Sequence, residues 1–271
     1  MSNNRKPIRV VTINSWKGNG AYTRRLAAMA SQLRLLQPEV ICLQEALQST
    51  DGQFDTAGYL ARSLDLQMIY APCRRKIRAV EGKQIDCHSG LAVLTSLPVC
   101  GSSITSLPSA APDDERISHT VEIETAGGPL VITNVHLTHL EGADALRCRQ
   151  FIAAIEHGQP LDYSTTWLCC GDFNFTVEEA LRQVERSTGW LPFDCYTAGG
   201  GQMPGATLPG GDLTRPGKRL DYILGLVRES VDVFLCDKSR IVLDHPDNDG
   251  YFPSDHFGVM VEITQRVCRG D

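Results

Sequence analysis

The 271 residues are 42% hydrophobic and 21% charged, which is ordinary for a soluble globular chain and enough to bury a sizeable core. A net charge of -6 and a pI near 5.7 argue against holding nucleic acid by a general positive field, but leave room for a local basic patch. No segment approaches the roughly 18 consecutive apolar residues that cross a bilayer.

Met1 to Pro7 leads directly into a strand-like run, with no apolar stretch of signal-peptide length, so the expected location is cytoplasmic. Of the ten cysteines, Cys42, Cys169 and Cys170 sit inside apolar runs, and no pair has Cys-x-x-Cys spacing. Reduced, buried thiols are the simplest reading; Cys73 and Cys87, which bracket a loop, are the pair that could join.

In chain order, Ile8 to Asn14 is rich in β-branched residues and reads as a buried strand ending on a carboxamide. Leu26, Met29, Ala30, Leu33 and Leu36 recur at helical spacing from about Tyr22 to Gln37, with Arg24, Arg25 and Arg34 expected on the outer face. Pro38 ends that helix, and Val40 to Leu43 starts a strand that runs out at Gln44 and Glu45. A shorter helix fits Thr56 to Leu64. Pro72 to Asp86 carries Arg74, Arg75, Lys76, Arg78 and Lys83, either a solvated hairpin tip or a phosphate-attracting rim.

Strands follow at His88 to Leu94, Ile117 to Glu124 and Leu130 to His136, then a helix at Gly142 to His157. Trp167 to Asn174 is an apolar run that delivers Asp172 and Asn174 two residues apart, hence on one side of an extended segment. Gly171 permits a turn or a close backbone approach there. A helix near Val177 to Arg186 precedes a long Gly/Pro-rich loop, Thr197 to Lys218, of the kind that is functional or mobile in a compact domain. Arg219 to Leu224, Val231 to Cys236 and Phe257 to Ile263 complete the strands. No linker, repeat or charge block divides the chain, so one domain over 1–271 is expected, with sheets packed on each other and helices outside.

Four carboxylates, Glu45, Asp172, Asp221 and Asp255, lie where apolar strands begin or end, beside Asn14, Asn174, His136 and His256. In a sheet with antiparallel neighbours such positions share one rim. Hard oxygen donors without a Cys or His cluster suit Mg²⁺ or Mn²⁺ rather than Zn²⁺. Taken singly, each has a bland reading: Asn14 as a loop cap, Glu45 as a strand end, His136 as a satisfied sheet histidine, Asp221 as a structural partner of Arg219 or Arg116.

Together they carry a resemblance. Thr12-Ile-Asn14, Leu43-Gln-Glu45, Ser89-Gly-Leu-Ala-Val-Leu-Thr-Ser-Leu-Pro98, Asn134-Val-His136, Gly171-Asp-Phe-Asn174, Arg219-Leu-Asp-Tyr222 and Ser254-Asp-His256 resemble, in order, the endonuclease/exonuclease/phosphatase superfamily. The resemblance implies an α/β fold built as a four-layered α-β-β-α sandwich, with two mixed β-sheets face to face and helices outside. It implies a Mg²⁺- or Mn²⁺-dependent phosphoester hydrolase using in-line attack of water. Glu45 would be the principal metal ligand, with Asn14 nearby and Asp255 assisting directly or through water. Asp172 would orient or deprotonate the water, and Asn174 would hold it or a phosphate oxygen. His256, paired with Asp221, would be a general base or a charged donor to the phosphoryl group, and His136 would donate to a phosphate oxygen.

The Asn134-Val-His136 block differs from the Tyr-containing motif of the abasic-site endonucleases and is more similar to the deoxyribonuclease, sphingomyelinase and inositol-phosphatase branches. A nuclease reading draws on the basic 74–83 segment and on Tyr251 and Phe252, which would either stack a base or pack beneath their own loop. A phosphomonoesterase or lipid-headgroup reading uses the long Gly/Pro loop as a rim. A non-catalytic binding protein on the same fold is the alternative of another class. His139, three residues after His136, either lines the site or sits in a surface turn.

Overall fold

The computed structural model describes residues 6–163, 165–210, 217–228 and 234–266. The chain runs through β1 (Ile8–Asn14), α1 (Tyr22–Leu36), β2 (Val40–Ser49) and α2 (Thr56–Leu64), then β3 (Gln67–Ala71), β4 (Arg75–Val80), β5 (Lys83–Thr95) and β6 (Val99–Ser106). After β7 (Ile117–Ile123) and β8 (Leu130–His136) come α3 (Asp144–Gly158), β9 (Thr166–Asp172), α4 (Glu178–Thr188), β10 (Leu191–Asp194) and the one-turn α5 (Cys195–Ala198). β11 (Asp221–Val227), β12 (Phe234–Val242) and β13 (Gly258–Gln265) end the described structure.

One sheet has the order β12-β13-β1-β2-β5-β3, with β4 paired to the first half of β5; the other has the order β10-β11-β9-β8-β7-β6. Each contains one parallel pair, β1 with β2 and β8 with β9, joined by α1 and α3 respectively, and otherwise antiparallel neighbours. A parallel pair needs a crossover, and the crossover helix covers one face of its sheet. Met29, Leu33 and Leu60 of α1 and α2 pack on Val11, Ile13 and Ile41. Phe151, Ile155 and Val184 of α3 and α4 pack on Val135, Trp167 and Leu224. Val10, Val40, Ile132, Leu168, Ile223 and Val261 fill the space between the sheets. This is the four-layered α-β-β-α sandwich with two mixed sheets. Among the described residues no helix is long and apolar enough to cross a membrane.

α2 matches its expected span, with Asp55 capping it by accepting from the Gly58 N–H. The strands that the sequence pattern did not reveal, β3, β4, β6 and β10, lie toward the sheet margins, with half-exposed or exposed faces that carry little hydrophobic alternation. Of the strand expected at 231–236, residues 231–233 lie outside the described residues, and β12 continues from Phe234 to Val242.

Arg25 is a correction to the outer face assigned to α1. It is 2% exposed and donates to the carbonyls of Ser15, Trp16, Lys17, Asn19 and Pro253. A buried guanidinium is tolerable when its donors are met by acceptors, and here they tie the loop after β1 to the segment that leads to Asp255.

The inter-sheet core changes character along the strands. Beyond the apolar layers, Gln44 donates to Thr12 Oγ1 at 3.0 Å and to Asn134 Oδ1 at 2.7 Å, while the Asn134 amide donates to the Leu43 and Ala92 carbonyls. This polar layer fastens one sheet to the other directly beneath the site.

His119, opposite Asn134 across β7 and β8, is 1% exposed, and its Nδ1 has no partner among the described residues. Burial lowers its pKa from 6.5 to about 4. Between those values the unfolded chain binds a proton that the native ring refuses, so stability is fully present above pH 6.5 and falls as pH drops toward 4, by about 3 kcal/mol for this group. Urea unfolding at pH 7 and pH 4.5 is expected to show a loss smaller in His119→Gln than in the native protein by about 2 kcal/mol. Equal losses in the two proteins would refute this.

Candidate active site

The site forms where both parallel pairs end. Counting every second residue along an inward-facing strand passes from core to rim, through the polar layer at Thr12 and Asn134 and through apolar Cys170 on β9: Val10, Thr12, Asn14 on β1; Ile132, Asn134, His136 on β8; Leu168, Cys170, Asp172 on β9. Register then fixes neighbours. His136 stands opposite Asp172, and Asp172 opposite Asp221 at the start of β11.

Asp172 is 1% exposed. Its Oδ2 accepts from Asn14 Nδ2 at 2.9 Å and its Oδ1 from the Asn174 backbone N–H at 2.9 Å, and His136 Nε2 lies 3.5 Å from Oδ2. Burial, reinforced by the charge of Asp221, pushes its carboxyl pKa well up. His136 is held neutral, its pKa lowered by burial and by Arg116 and Lys17, so its approach to Asp172 is a polar contact and not an ion pair.

Gly171 was expected to allow a close approach, and it does: φ is +148°, and a Cβ there would stand 1.9 Å from the Val135 carbonyl oxygen. Asn174 is different. β9 ends at Asp172, and Asn174 has φ +57°, so the two-residue alternation of a strand does not apply to it. Its backbone caps Asp172, and its side-chain amide donates to the Leu137 carbonyl at 3.0 Å.

His256 Nδ1 is 2.8 Å from Asp221 Oδ2, both residues buried. The structural pairings considered for Asp221 are excluded: Arg219 pairs with Asp194 and Arg116 with Asp113. Burial alone would lower the His256 pKa, but Asp221, Asp172 and Asp255 outweigh it and raise it to about 10. The ring is a cation at neutral pH. Asp172, Asp221 and His256 bring donor atoms within 4.8 Å of one another, and an imidazole that carries both its protons has no free lone pair to offer a metal. The long loop contributes Thr207, whose buried hydroxyl accepts from the Leu220 and Asp221 N–H groups. Its residues 211–216 lie outside the described residues.

Glu45 sits at an irregularity in the β2–β5 pairing, between Leu43 and Ala46, with φ +55°. The bulge re-aims a side chain that regular alternation would send to the helix face, a form of backbone strain common at functional sites. Its carboxylate pairs with Lys17. Asp255 Oδ1 is 3.3 Å from Ser254 Oγ, which donates to the Asn14 carbonyl at 2.6 Å. Burial raises the Asp255 pKa, and the charge of Glu45 adds to the rise. Glu45 and Asp255 are two carboxylates near enough to repel each other, hard oxygen donors of the kind that suits a divalent cation, while the Asn14 carboxamide donates to Asp172 and accepts from the Trp16 N–H at 3.0 Å.

Glu45 and His136 line a cleft of about 350 Å³ together with Arg74, Lys76, Arg78 and Arg116. The basic segment forms a β4–β5 hairpin, and its Arg74, Lys76 and Arg78 also line this cleft. His139 also lines the cleft, with Nδ1 2.9 Å from Arg116 Nη2. Sequence reasoning missed Asp113, a buried hub that holds Arg116, Thr138 and, at 3.6 Å, Arg74. Its only signal was an acid three residues before Arg116. Cys73 and Cys87 are free thiols, so the disulfide considered between them is absent. Tyr251 and Phe252 are each 41% exposed, the first under Arg24 and the second tilted against Phe257.

Comparison with solved structures gives the same fold at low identity. An endonuclease/exonuclease/phosphatase from Beutenbergia cavernae DSM 12333 superposes with TM-score 0.75 at 19% identity, over 96% of this chain and 72% of that one. A family protein from Leptotrichia buccalis C-1013-b gives 0.73 at 17%, over 95% and 99%. D. rerio TDP2, complexed with single strand DNA product, gives 0.71 at 15%, over 95% and 99%. No curated protein matches the sequence significantly. Residues 11–256, from β1 to the histidine of the Asp221 pair, match the Endonuclease/Exonuclease/phosphatase family, to which this chain belongs.

Proposed function

We propose that this protein is a divalent-metal-dependent phosphoester hydrolase, acting on phosphodiesters by in-line attack of water. The observation that carries the reading is the pairing of opposite proton affinities at one rim: a buried carboxylate, Asp172, whose affinity for a proton is raised, beside a His256–Asp221 pair that keeps its proton at neutral pH. A base and an acid set apart in this way are what general acid–base catalysis requires.

Mg²⁺ or Mn²⁺ would be held by Glu45 and Asp255 with Asn14 nearby, and when bound would neutralise charge on the phosphoryl oxygens. The chain's own groups do the rest. Asp172, fixed by Asn14 and by the Asn174 N–H, accepts the proton of the attacking water. His256 presents Nε2–H to the phosphoryl group, with its ring oriented by Asp221 through Nδ1, and gives that proton to the leaving oxygen as its bond to phosphorus breaks. Neutral His136 donates to a phosphoryl oxygen, and the Asn174 carboxamide oxygen helps hold the water. The seven-block pattern and the His136 form support the deoxyribonuclease, sphingomyelinase and inositol-phosphatase side of the family over the abasic-site endonucleases. The cationic wall of the cleft supports a substrate rich in phosphate, nucleic acid included. Retention of all the chemistry-bearing side chains in one rim argues against a protein that only binds.

The test is a hydrolysis panel on purified protein: bis(p-nitrophenyl) phosphate, p-nitrophenyl phosphate, single- and double-stranded DNA, RNA and sphingomyelin, each with Mg²⁺, Mn²⁺ or EDTA. Turnover of a diester that EDTA abolishes is expected. Turnover that EDTA leaves intact, or no turnover and no binding of Mn²⁺, would overturn the proposal.

A further inference from the structure

Five cations and two carboxylates, Glu45 and Asp113, line the cleft, an excess of positive charge on a chain whose net charge is -6. Three of the cations are engaged. Lys17 pairs with Glu45, Arg116 with Asp113, and Arg74 donates to the Pro112 carbonyl at 2.7 Å and faces Asp113. Lys76 and Arg78 are not. Neither side chain makes a hydrogen bond or ion pair among the described residues, and Arg78 Nε is buried without a partner.

Their placement is a consequence of strand geometry. β4 alternates, so Lys76 and Arg78 face the cleft while Arg75 points away and pairs with Asp86 at the opposite face. The first half of β5, which carries β4, extends past the end of β3 and brings both cations over the rim that holds Glu45. A buried N–H without an acceptor is costly, and a guanidinium is matched in shape to phosphate oxygens.

We propose that Lys76 and Arg78 form a second phosphate subsite, so that the substrate is a compact phosphoester carrying another phosphate close to the one that is cleaved. The proposal rests on the hydrolase reading for its catalytic half only. A cleft of about 350 Å³ is at the small end of ligand sites, roughly 300–1,000 Å³, and so encloses a small bisphosphorylated molecule more readily than it tracks a long polymer.

Two measurements test it. In the first, inorganic pyrophosphate is titrated calorimetrically into metal-stripped protein, with the Lys76→Ala and Arg78→Ala single variants, their double variant, and Arg75→Ala as a control that, like each single variant, removes one positive charge, but from the opposite face of β4. Affinity is expected to fall about tenfold or more in the double variant and to stay within about twofold in Arg75→Ala, as for loss of charge-assisted hydrogen bonds. Absent binding, or a loss in Arg75→Ala equal to that in the single variants, overturns the subsite.

In the second, KM is compared for a thymidine dinucleotide with a single internal diester, the same dinucleotide carrying an added 5′-phosphate, and a thymidine dodecamer. The added phosphate is expected to lower KM about tenfold, an advantage that the double variant erases and Arg75→Ala keeps. Equal KM values for the first two overturn the proposal while leaving the hydrolase reading intact. A KM for the dodecamer ten times lower than for the phosphorylated dinucleotide overturns the compact substrate in favour of a tracked strand. Pyrophosphate binding that depends on Lys76 and Arg78, with no turnover of any member, upholds the subsite and counts against the hydrolase.

Discussion

Replacing His256 with alanine is expected to lower kcat by about 10³-fold, within the span attributed to a positioned acid or base, while KM changes only a few fold. The reason is the state in which the structure holds the ring. Burial works against the charged form, yet Asp221 at 2.8 Å, with Asp172 and Asp255 behind it, raises the pKa to about 10, so the ring is a donor throughout the neutral range. Asp221→Asn separates the charge from the shape. The amide can still orient the ring, but the largest force raising its pKa is gone. The sign follows: a ring that loses its proton at lower pH loses its donor earlier, so the alkaline limb of the kcat profile moves to lower pH. Imidazole NMR titration of both proteins should follow the same shift. A His256→Ala enzyme within threefold of native kcat would remove His256 from the mechanism.

Much of this rim can be read from alternation alone. Asn14, His136 and Asp172 each lie an even number of residues beyond a core position on the same strand, so a strand that buries Val10, Ile132 or Leu168 between the sheets must aim its terminal residue at the same seam. Asp221 is legible for the complementary reason, since it begins a strand whose Ile223 is core. What alternation cannot supply is any position set by a break in the pattern. Glu45 faces the cleft only through a bulge, and Asn174 reaches Asp172 only through a left-handed turn.

Burial of Arg25 and Asp113 was equally hidden. Each is polar by type and buried by partners distant in sequence, such as Pro253 for Arg25 and Thr138 for Asp113, and helix periodicity or a polar loop composition points the other way. The edge strand β4 escaped because half of its side chains are charged. The same charge, sorted by alternation once the strand is recognised, separates the cleft-facing Lys76 and Arg78 from the solvent-facing Arg75.

Glu45→Gln should weaken metal binding and lower activity with almost no change in fold. The substitution preserves size and the φ of +55°, which both side chains tolerate equally poorly, so thermal stability is expected to stay close to native. It removes one negative charge from a donor set whose second carboxylate, Asp255, is already pushed toward the protonated form by burial and by Glu45 itself. Two consequences follow together. The affinity for Mn²⁺, measured by calorimetry or by its paramagnetic signal, should fall at least tenfold, since a neutral amide is a much weaker partner for a hard dication than a carboxylate. The Asp255 pKa should fall toward its ordinary value once the repelling charge is gone, which distinguishes lost electrostatics from a disturbed backbone. Hydrolysis at saturating substrate should drop by about 10²-fold or more and recover only in part at high Mn²⁺. Native Mn²⁺ affinity in Glu45→Gln would mean that the cation is held elsewhere, leaving Glu45 as no more than the partner of Lys17.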